Sequence, residues 1–151
     1  MLETVDSTNA EAARIAGSLS SPTWILGLKQ TAGRGRGGRQ WADPQGNFAA
    51  TLVLFPTDPL QTRVLRSFVA AVALFDALVT LTGRAEAFSL KWPNDVLLNG
   101  AKLAGILLET VPLSAGRSAL AIGIGVNLVE APPLSELATG SVPPVSLQGA
   151  A

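Results

Sequence analysis

Apolar residues change their spacing several times along the chain, and each spacing predicts a different element. Ser7-Thr8-Asn9 opens an Ala-rich stretch in which Glu11 stands three residues after Thr8, predicting a capping-box helix to about Gly17. Trp24-Ile25-Leu26-Gly27-Leu28 is a short, unbroken apolar run of the kind that makes a buried strand. Phe48 to Phe55 is strand-like and is closed by Pro56 and Pro59. From Leu60 to Thr82, apolar Val64, Leu65, Phe68, Val72, Phe75 and Val79 keep a helical period, and Gly83 supplies the stop. Phe88-Ser89-Leu90-Lys91-Trp92 alternates like a half-buried strand ended by Pro93. Val96-Leu97-Leu98 and the run Leu103 to Leu108 flank Asn99-Gly100, a strong hairpin signal, and Ala119 to Leu128 is a further strand. Strands outnumber helices, so the expected class is α+β: a mixed, mostly antiparallel sheet with helices packed on it. After Val129 the periodicity lapses and four prolines fall among the last twenty residues, dividing the chain into a core, 1–129, and an irregular end, 130–151.

Composition narrows the chemistry. With 151 residues, 48% of them hydrophobic and 15% charged, the chain suits one globular domain with a real core. Eleven Lys/Arg balance eleven Asp/Glu, so any anion site must be local. The absence of cysteine excludes disulfides and thiol catalysis; the absence of histidine removes the commonest general base and metal ligand, and no metal-ligand set is expected. The start, Met1-Leu2-Glu3-Thr4-Val5-Asp6, is unlike a secretory signal, and the apolar stretch Phe68 to Leu81 contains Asp76 and falls short of the roughly 20 residues that span a bilayer. A soluble, cytoplasmic protein without a membrane partner is expected.

Thr31 to Asn47 forms a long Gly-rich loop, and loops of this length in compact domains are usually functional. In Gly33-Arg34-Gly35-Arg36-Gly37-Gly38-Arg39 the glycines let backbone amides approach an anion, while Arg34, Arg36, Arg39 and Lys29 supply charge with no intervening acid. A phosphate or adenylate cradle fits; a flexible surface loop or an RGG-like nucleic-acid contact remains open. The formal GxGxxG match fails as a dinucleotide fold, because Pro44 and Gly46 stand where its helix should begin. Lys91-Trp92-Pro93-Asn94-Asp95 puts polar groups at a strand end, where they could face a ligand or simply make a turn. Lys102 reads as an exposed edge lysine, and Gly105 as a close approach or a bulge.

Taken in order, Ser7-Thr8-Asn9, the segment Gln30 to Trp41 with its GRGR loop, Lys91-Trp92-Pro93-Asn94-Asp95, Lys102-Leu103-Ala104-Gly105-Ile106-Leu107-Leu108-Glu109 and Gly123-Ile124-Gly125-Val126-Asn127-Leu128 closely resemble the motif series of the biotin protein ligase catalytic domain. The resemblance runs from about Glu3 to Leu128 and implies a fold related to class II aminoacyl-tRNA synthetase catalytic domains. It implies that Ser7, Thr8, Asn9, Gln30, Gly33, Arg34, Gly35, Arg36, Gly37, Lys102 and Gly105 bind biotin. It implies that Arg36, Arg39, Trp41, Lys91, Asn94, Asp95, Lys102 and Asn127 serve ATP and the adenylate, with Lys102, Asp95 and Arg36 at the reaction centre. Biotin and ATP are the implied substrates, Mg²⁺ accompanies the nucleotide, and the acceptor is a biotin carboxyl carrier protein or domain. No helix-turn-helix precedes Ser7, so no specific DNA partner is expected; the family's last catalytic elements and SH3-like domain are expected to be missing after Ala151. A homodimer stays open.

The chemistry agrees with the residue types. Biotin's carboxylate is ionised at neutral pH, so its attack on the α-phosphate needs cations rather than a histidine base. Asp95 is the motif acid placed to orient or deprotonate an acceptor lysine. A lipoate-type ligase is the nearest alternative, with a longer, apolar pocket; an anion- or nucleic-acid-binding module is the other.

Overall fold

The computed structural model describes residues 1–136 and 140–150. Residues 137–139 and Ala151, within the expected irregular end, lie outside the described residues. The six strands are β1 (Thr23–Gly27), β2 (Phe48–Leu54), β3 (Phe88–Lys91), β4 (Asp95–Leu98), β5 (Ala101–Pro112) and β6 (Ser118–Val126). They form one sheet in the order β1-β2-β6-β5-β4-β3, and every neighbouring pair is antiparallel. The parallel component of the expected mixed sheet enters as isolated bridges, Leu2 with Gly27, Val5 with Gln30 and Lys102 with Pro144. The first two bridges dock the N-terminal segment along the extension of β1, bringing Ser7-Thr8-Asn9 beside Gln30.

Side-chain alternation separates two faces. Helix α1 (Thr8–Ile15) packs Ala12 on one of them, with Ile25, Val53, Val111, Ala119 and Ala121. Helix α3 (Arg66–Thr82) covers the other through Ala71 on Ile106, Leu120 and Ile122, and through Leu78 on Phe88, Val96 and Leu98. Phe75 meets Phe88 edge to face at 6.4 Å. Beside α3 an apolar groove of about 390 Å³ stays open over β1, β2 and β6, lined by Trp24, Leu52, Ile122, Val69 and Ala73 among others.

Several expectations change. No capping box forms, because the helix starts one residue earlier in register: Ser7 is the N-cap without a side-chain bond. The Thr8 hydroxyl is held by Thr51 and Gln30, while Glu11 pairs with Arg14. The helix expected over 60–82 divides into α2 (Leu60–Arg63) and α3, because tighter bonds, Leu65 N–H to Thr62 O at 3.2 Å and Phe68 N–H to Leu65 O at 3.0 Å, turn the chain at Val64–Leu65. Gly83 ends α3 in the left-handed conformation, φ 70°, as expected. Within the 22 residues Gln61–Thr82 an 18-residue window has a mean hydropathy of 2.0, long and apolar enough by length and composition alone to cross a membrane, where Phe68 to Leu81 by itself falls short. In this fold it lies along the sheet. The first strand is Thr23–Gly27 rather than 24–28, and Trp24 is 56% exposed beside the open groove. On β3 only Phe88 is buried, so the expected half-buried alternation stops there.

Candidate active site

On the α1 face, the sheet carries almost no side-chain volume at one end. Gly105 on β5 stands opposite Gly125 on β6, and Leu107 stands opposite Gly123. A Cβ at Gly125 would sit 2.6 Å from the Trp41 ring, and one at Gly123 would collide with the Asn9 carboxamide. These glycines are the floor of a cleft of about 870 Å³, roofed by the loop after β1 and closed at its ends by α1 and the β3–β4 turn.

A register shift explains how Lys102 enters the cleft. Asp95 is opposite Gly105 and Val96 opposite Ala104, yet Leu97 is opposite Lys102, so Leu103 is an extra residue in β5. That bulge turns Lys102 and Gly105 to the same face, although their odd spacing would otherwise separate them. Strand β5 is interior, which corrects the expectation of an edge lysine. Lys102 Nζ lies 2.8 Å from Asp95 Oδ1 and 5.7 Å from the centre of the Trp41 ring. The ammonium approaches Asp95 off the hydrogen-bond direction, so that buried oxygen has no well-aligned donor.

The turn Trp92-Pro93-Asn94 joins β3 to β4 through a cis Trp92–Pro93 peptide. It places Asn94 where its Nδ2 donates to Ile106 O at 2.6 Å and its Oδ1 accepts from Arg36 Nη1 at 3.1 Å. The arginine loop is therefore pinned at its tip by Asn94. At its base the Trp41 N–H donates to Gly33 O at 2.9 Å, and the Gly35 N–H donates to Arg39 O at 2.7 Å. Arg36 and Arg39 remain exposed at the cleft, Arg39 Nε donating to Arg36 O at 3.1 Å, and neither pairs with a carboxylate among the described residues.

The opposite end is lined by the polar, uncharged side chains Ser7, Thr8, Asn9 and Gln30, with carboxylates behind them. Gln30 Oε1 accepts from the Thr8 N–H at 2.9 Å and lies 3.3 Å from the Thr8 hydroxyl. Thr51, wholly buried on β2, donates to Asn9 Oδ1 at 2.6 Å and sits 2.8 Å from Thr8 Oγ1. Asp43 Oδ2 accepts from the Gln30 N–H at 3.1 Å. Burial raises the Asp43 carboxyl above its ordinary range, with the Gln30 hydrogen bond working against that rise. Asp6 is the reverse case: its hydrogen bonds from Arg14 and then from the Ser7 N–H hold its carboxyl well below the usual range at the entry to α1.

The cleft gathers the sequence-predicted residues with two exceptions. Gly33 is buried behind the lining, where a Cβ would lie 2.5 Å from Trp41 O, and Gly37 faces solvent with φ 65°. Asn127 lines the cleft, but its Nδ2 is committed to Val145 O at 3.2 Å, which ties down the C-terminal segment. Its Oδ1 is buried without a partner. Thr51, Asp43 and Glu109 support the site without having been singled out; a hydroxyl in mid-strand and an acid directly after the arginine loop were the available signals. Among the described residues no group of three or more acidic side chains could by itself hold a metal ion.

The comparisons agree with this architecture. The sequence pattern of the biotin/lipoate A/B protein ligase family matches residues 1–127. The biotin–[acetyl-CoA-carboxylase] ligase of Paracoccus denitrificans is 54% identical over 149 residues, 99% of this chain and 62% of its own length. The biotin protein ligase of Aquifex aeolicus in complex with biotin and ATP aligns with a TM-score of 0.77 and 31% identity, covering 97% of this chain and 57% of that one. The biotin protein ligase of Leishmania major in complex with biotinyl-5-AMP aligns with a TM-score of 0.77 and 28% identity, covering 97% and 62%. The chain thus spans about three fifths of the length of these relatives. By sequence pattern, topology and cleft together, the chain belongs to the biotin/lipoate A/B protein ligase family.

Proposed function

We propose that this chain is the adenylating core of a biotin protein ligase, which makes biotinyl-5′-AMP from biotin and ATP and passes the biotinyl group to a lysine of a biotin carboxyl carrier protein. The observation that carries the reading is one cleft with two unlike ends, polar at Ser7, Thr8, Asn9 and Gln30, cationic at Arg36, Arg39, Lys91 and Lys102. A ureido ring needs several neutral hydrogen-bond partners, and a carboxylate meeting a triphosphate needs fixed positive charge. A carboxylate oxygen attacks the α-phosphorus, a new C–O–P link forms, and the bond to the β-phosphate breaks with its electron pair leaving on pyrophosphate. Lys102 and Arg36 stabilise the charge that gathers on those oxygens. In the second step the acceptor amine attacks the acyl carbon and AMP leaves; Asp95 orients that amine or takes its proton.

Asp95 is the one carboxylate lining the cleft among the described residues. Mg²⁺ commonly binds through one or two carboxylates together with substrate phosphates, so this acid suits a Mg²⁺ that arrives with the nucleotide and neutralises part of its charge. The chain would work in the cytoplasm, where ATP is available. The family also includes lipoate ligases, but an apolar lipoyl chain offers no hydrogen bond to this polar end, where the Ser7 hydroxyl makes no cap bond within the protein.

Calorimetry of the chain with biotin, with lipoate and with biotin plus ATP tests the reading. We expect one biotin per chain, no heat with lipoate, and pyrophosphate release only when biotin and ATP are both present. Lipoate binding in place of biotin would move the assignment to the other branch of the family, and binding of neither would sink it.

A further inference from the structure

Glu109 stands on β5 just outside the cleft lining and is half-buried. Its Oε2 accepts from Asn9 Nδ2 at 2.7 Å and lies 3.0 Å from Arg34 Nη2. One carboxylate oxygen thus joins α1, the centre of the sheet and the arginine loop. Asn9 is held from both sides: its amide hydrogens face Glu109 and Leu107 O, the latter at 3.3 Å, and its oxygen faces the Thr51 hydroxyl. Its orientation is therefore fixed by acceptors on one side and a donor on the other. A neutral acceptor at position 109 would satisfy Asn9 equally well; only Arg34 requires the negative charge.

We propose that Glu109 is a positioning residue that latches the arginine loop to the polar end of the cleft through Arg34. The latch sets where Arg34 waits and which way the Asn9 amide faces. Because the Arg34 and Glu109 side chains are 46% and 36% exposed, the pair is screened by salt and holds the loop only weakly. The proposal rests on the biotin reading only for what fills the cleft; the latch itself is made between side chains of this chain.

Amide hydrogen exchange over residues 33–41, read in the unliganded chain at low and high salt, tests it together with biotin calorimetry. In Glu109→Gln the Asn9 acceptor remains and the charge is lost. At low salt its loop amides should exchange about 3–5-fold faster than those of the unaltered chain, with no further change on adding salt. Biotin should bind about 3–5-fold more weakly, with an unchanged melting temperature. Glu109→Ala removes the acceptor as well and should weaken biotin about 10-fold. Arg34→Gln should loosen the loop to the same degree from the other side, which keeps the test open if a change at 109 harms folding. Loop exchange in Glu109→Gln or Arg34→Gln as slow as in the unaltered chain at low salt overturns the latch. A loop that loosens in a chain that never binds biotin leaves the latch standing and removes the ligand assignment instead.

Discussion

The two faces of strand β6 make opposite use of the same alternation. Toward α3 it presents Leu120, Ile122, Ile124 and Val126; toward α1 and the cleft it presents Ala119, Ala121, Gly123 and Gly125. The first series fills space, and the second gives it up in order, alanine under α1 and glycine under the cleft. One face is therefore held together by buried apolar area along its length, while the other keeps an apolar cluster only under α1 and beside the cleft relies on hydrogen bonds among Thr8, Asn9, Gln30, Thr51 and Glu109. The difference teaches that the site is encoded as much by missing side chains as by charged ones, and that function and stability should respond to different residues of the same sheet.

The largest separation is expected at Lys102. Lys102→Ala leaves its backbone bonds to Pro143 and Val145 intact and removes only the ammonium beside Asp95 and Trp41. Biotin-dependent ATP–pyrophosphate exchange should fall by roughly 10²–10³-fold, the scale for loss of one preorganised donor. Stability should change by no more than about 1–3 kcal/mol, the cost of leaving the 14% exposed Asp95 carboxylate without its neighbouring cation. Exchange that survives near its original rate would leave the anion to Lys91 and the arginine loop.

How much of this was legible in the chain depends on whether a residue acts on its own backbone or on a distant partner. Asn99 and Gly100 announce their hairpin because they adopt φ 51° and 79°, which few other residues accept, and Gly83 announces a helix end for the same reason. The cationic loop was legible because glycine and arginine alternate within a few residues. Asn9 was legible only as part of a motif, since the groups that orient it, Thr51 and Glu109, are 42 and 100 residues away. The bulge at Leu103 was hidden as well: one extra residue leaves no mark in composition, yet it decides that Lys102 faces the ligand. The α2–α3 break lies inside an unbroken helical period, where local hydrogen bonding overrides the pattern.

The comparison sharpens when one residue is changed on each face of β6. Ile122→Ala should cost about 2–4 kcal/mol in denaturant unfolding, because a buried side chain against α3 leaves a cavity. Biotin affinity of the folded fraction should stay within about 2-fold, since β6 presents this residue to the other side. Gly125→Ala should cost less, about 1–3 kcal/mol, because its new methyl displaces the Trp41 ring rather than emptying a core. It should nevertheless impair the nucleotide end of the cleft more than Ile122→Ala does. If Ile122→Ala weakens ligand binding as much as Gly125→Ala, the faces are coupled and the separation fails.

The smallest effect concerns Asp43, which shows the cost of building a site from buried polar groups. Its Oδ2 holds the Gln30 N–H, but its Oδ1 is buried without a partner, and burial raises the carboxyl above its ordinary 3.8. A carboxyl raised on folding contributes most favourably below its unfolded pKa, and that contribution is lost as pH rises through the folded value. At neutral pH the charged form is therefore a burden, tolerated because it fixes Gln30. Asp43→Asn keeps an acceptor for Gln30 and exchanges a buried charge for a neutral amide, whose own unpaired hydrogens cost less than the charge. Melting curves from pH 3 to pH 8 should show the variant slightly more stable than the unaltered chain at neutral pH. The advantage should shrink as pH falls through the raised Asp43 value and vanish below about 3.8, where the aspartate is protonated both folded and unfolded. A variant that is less stable at pH 7 and recovers in acid would mean that the Asp43 charge has a stabilising cation, and the polar end of the cleft would then be less neutral than its geometry indicates.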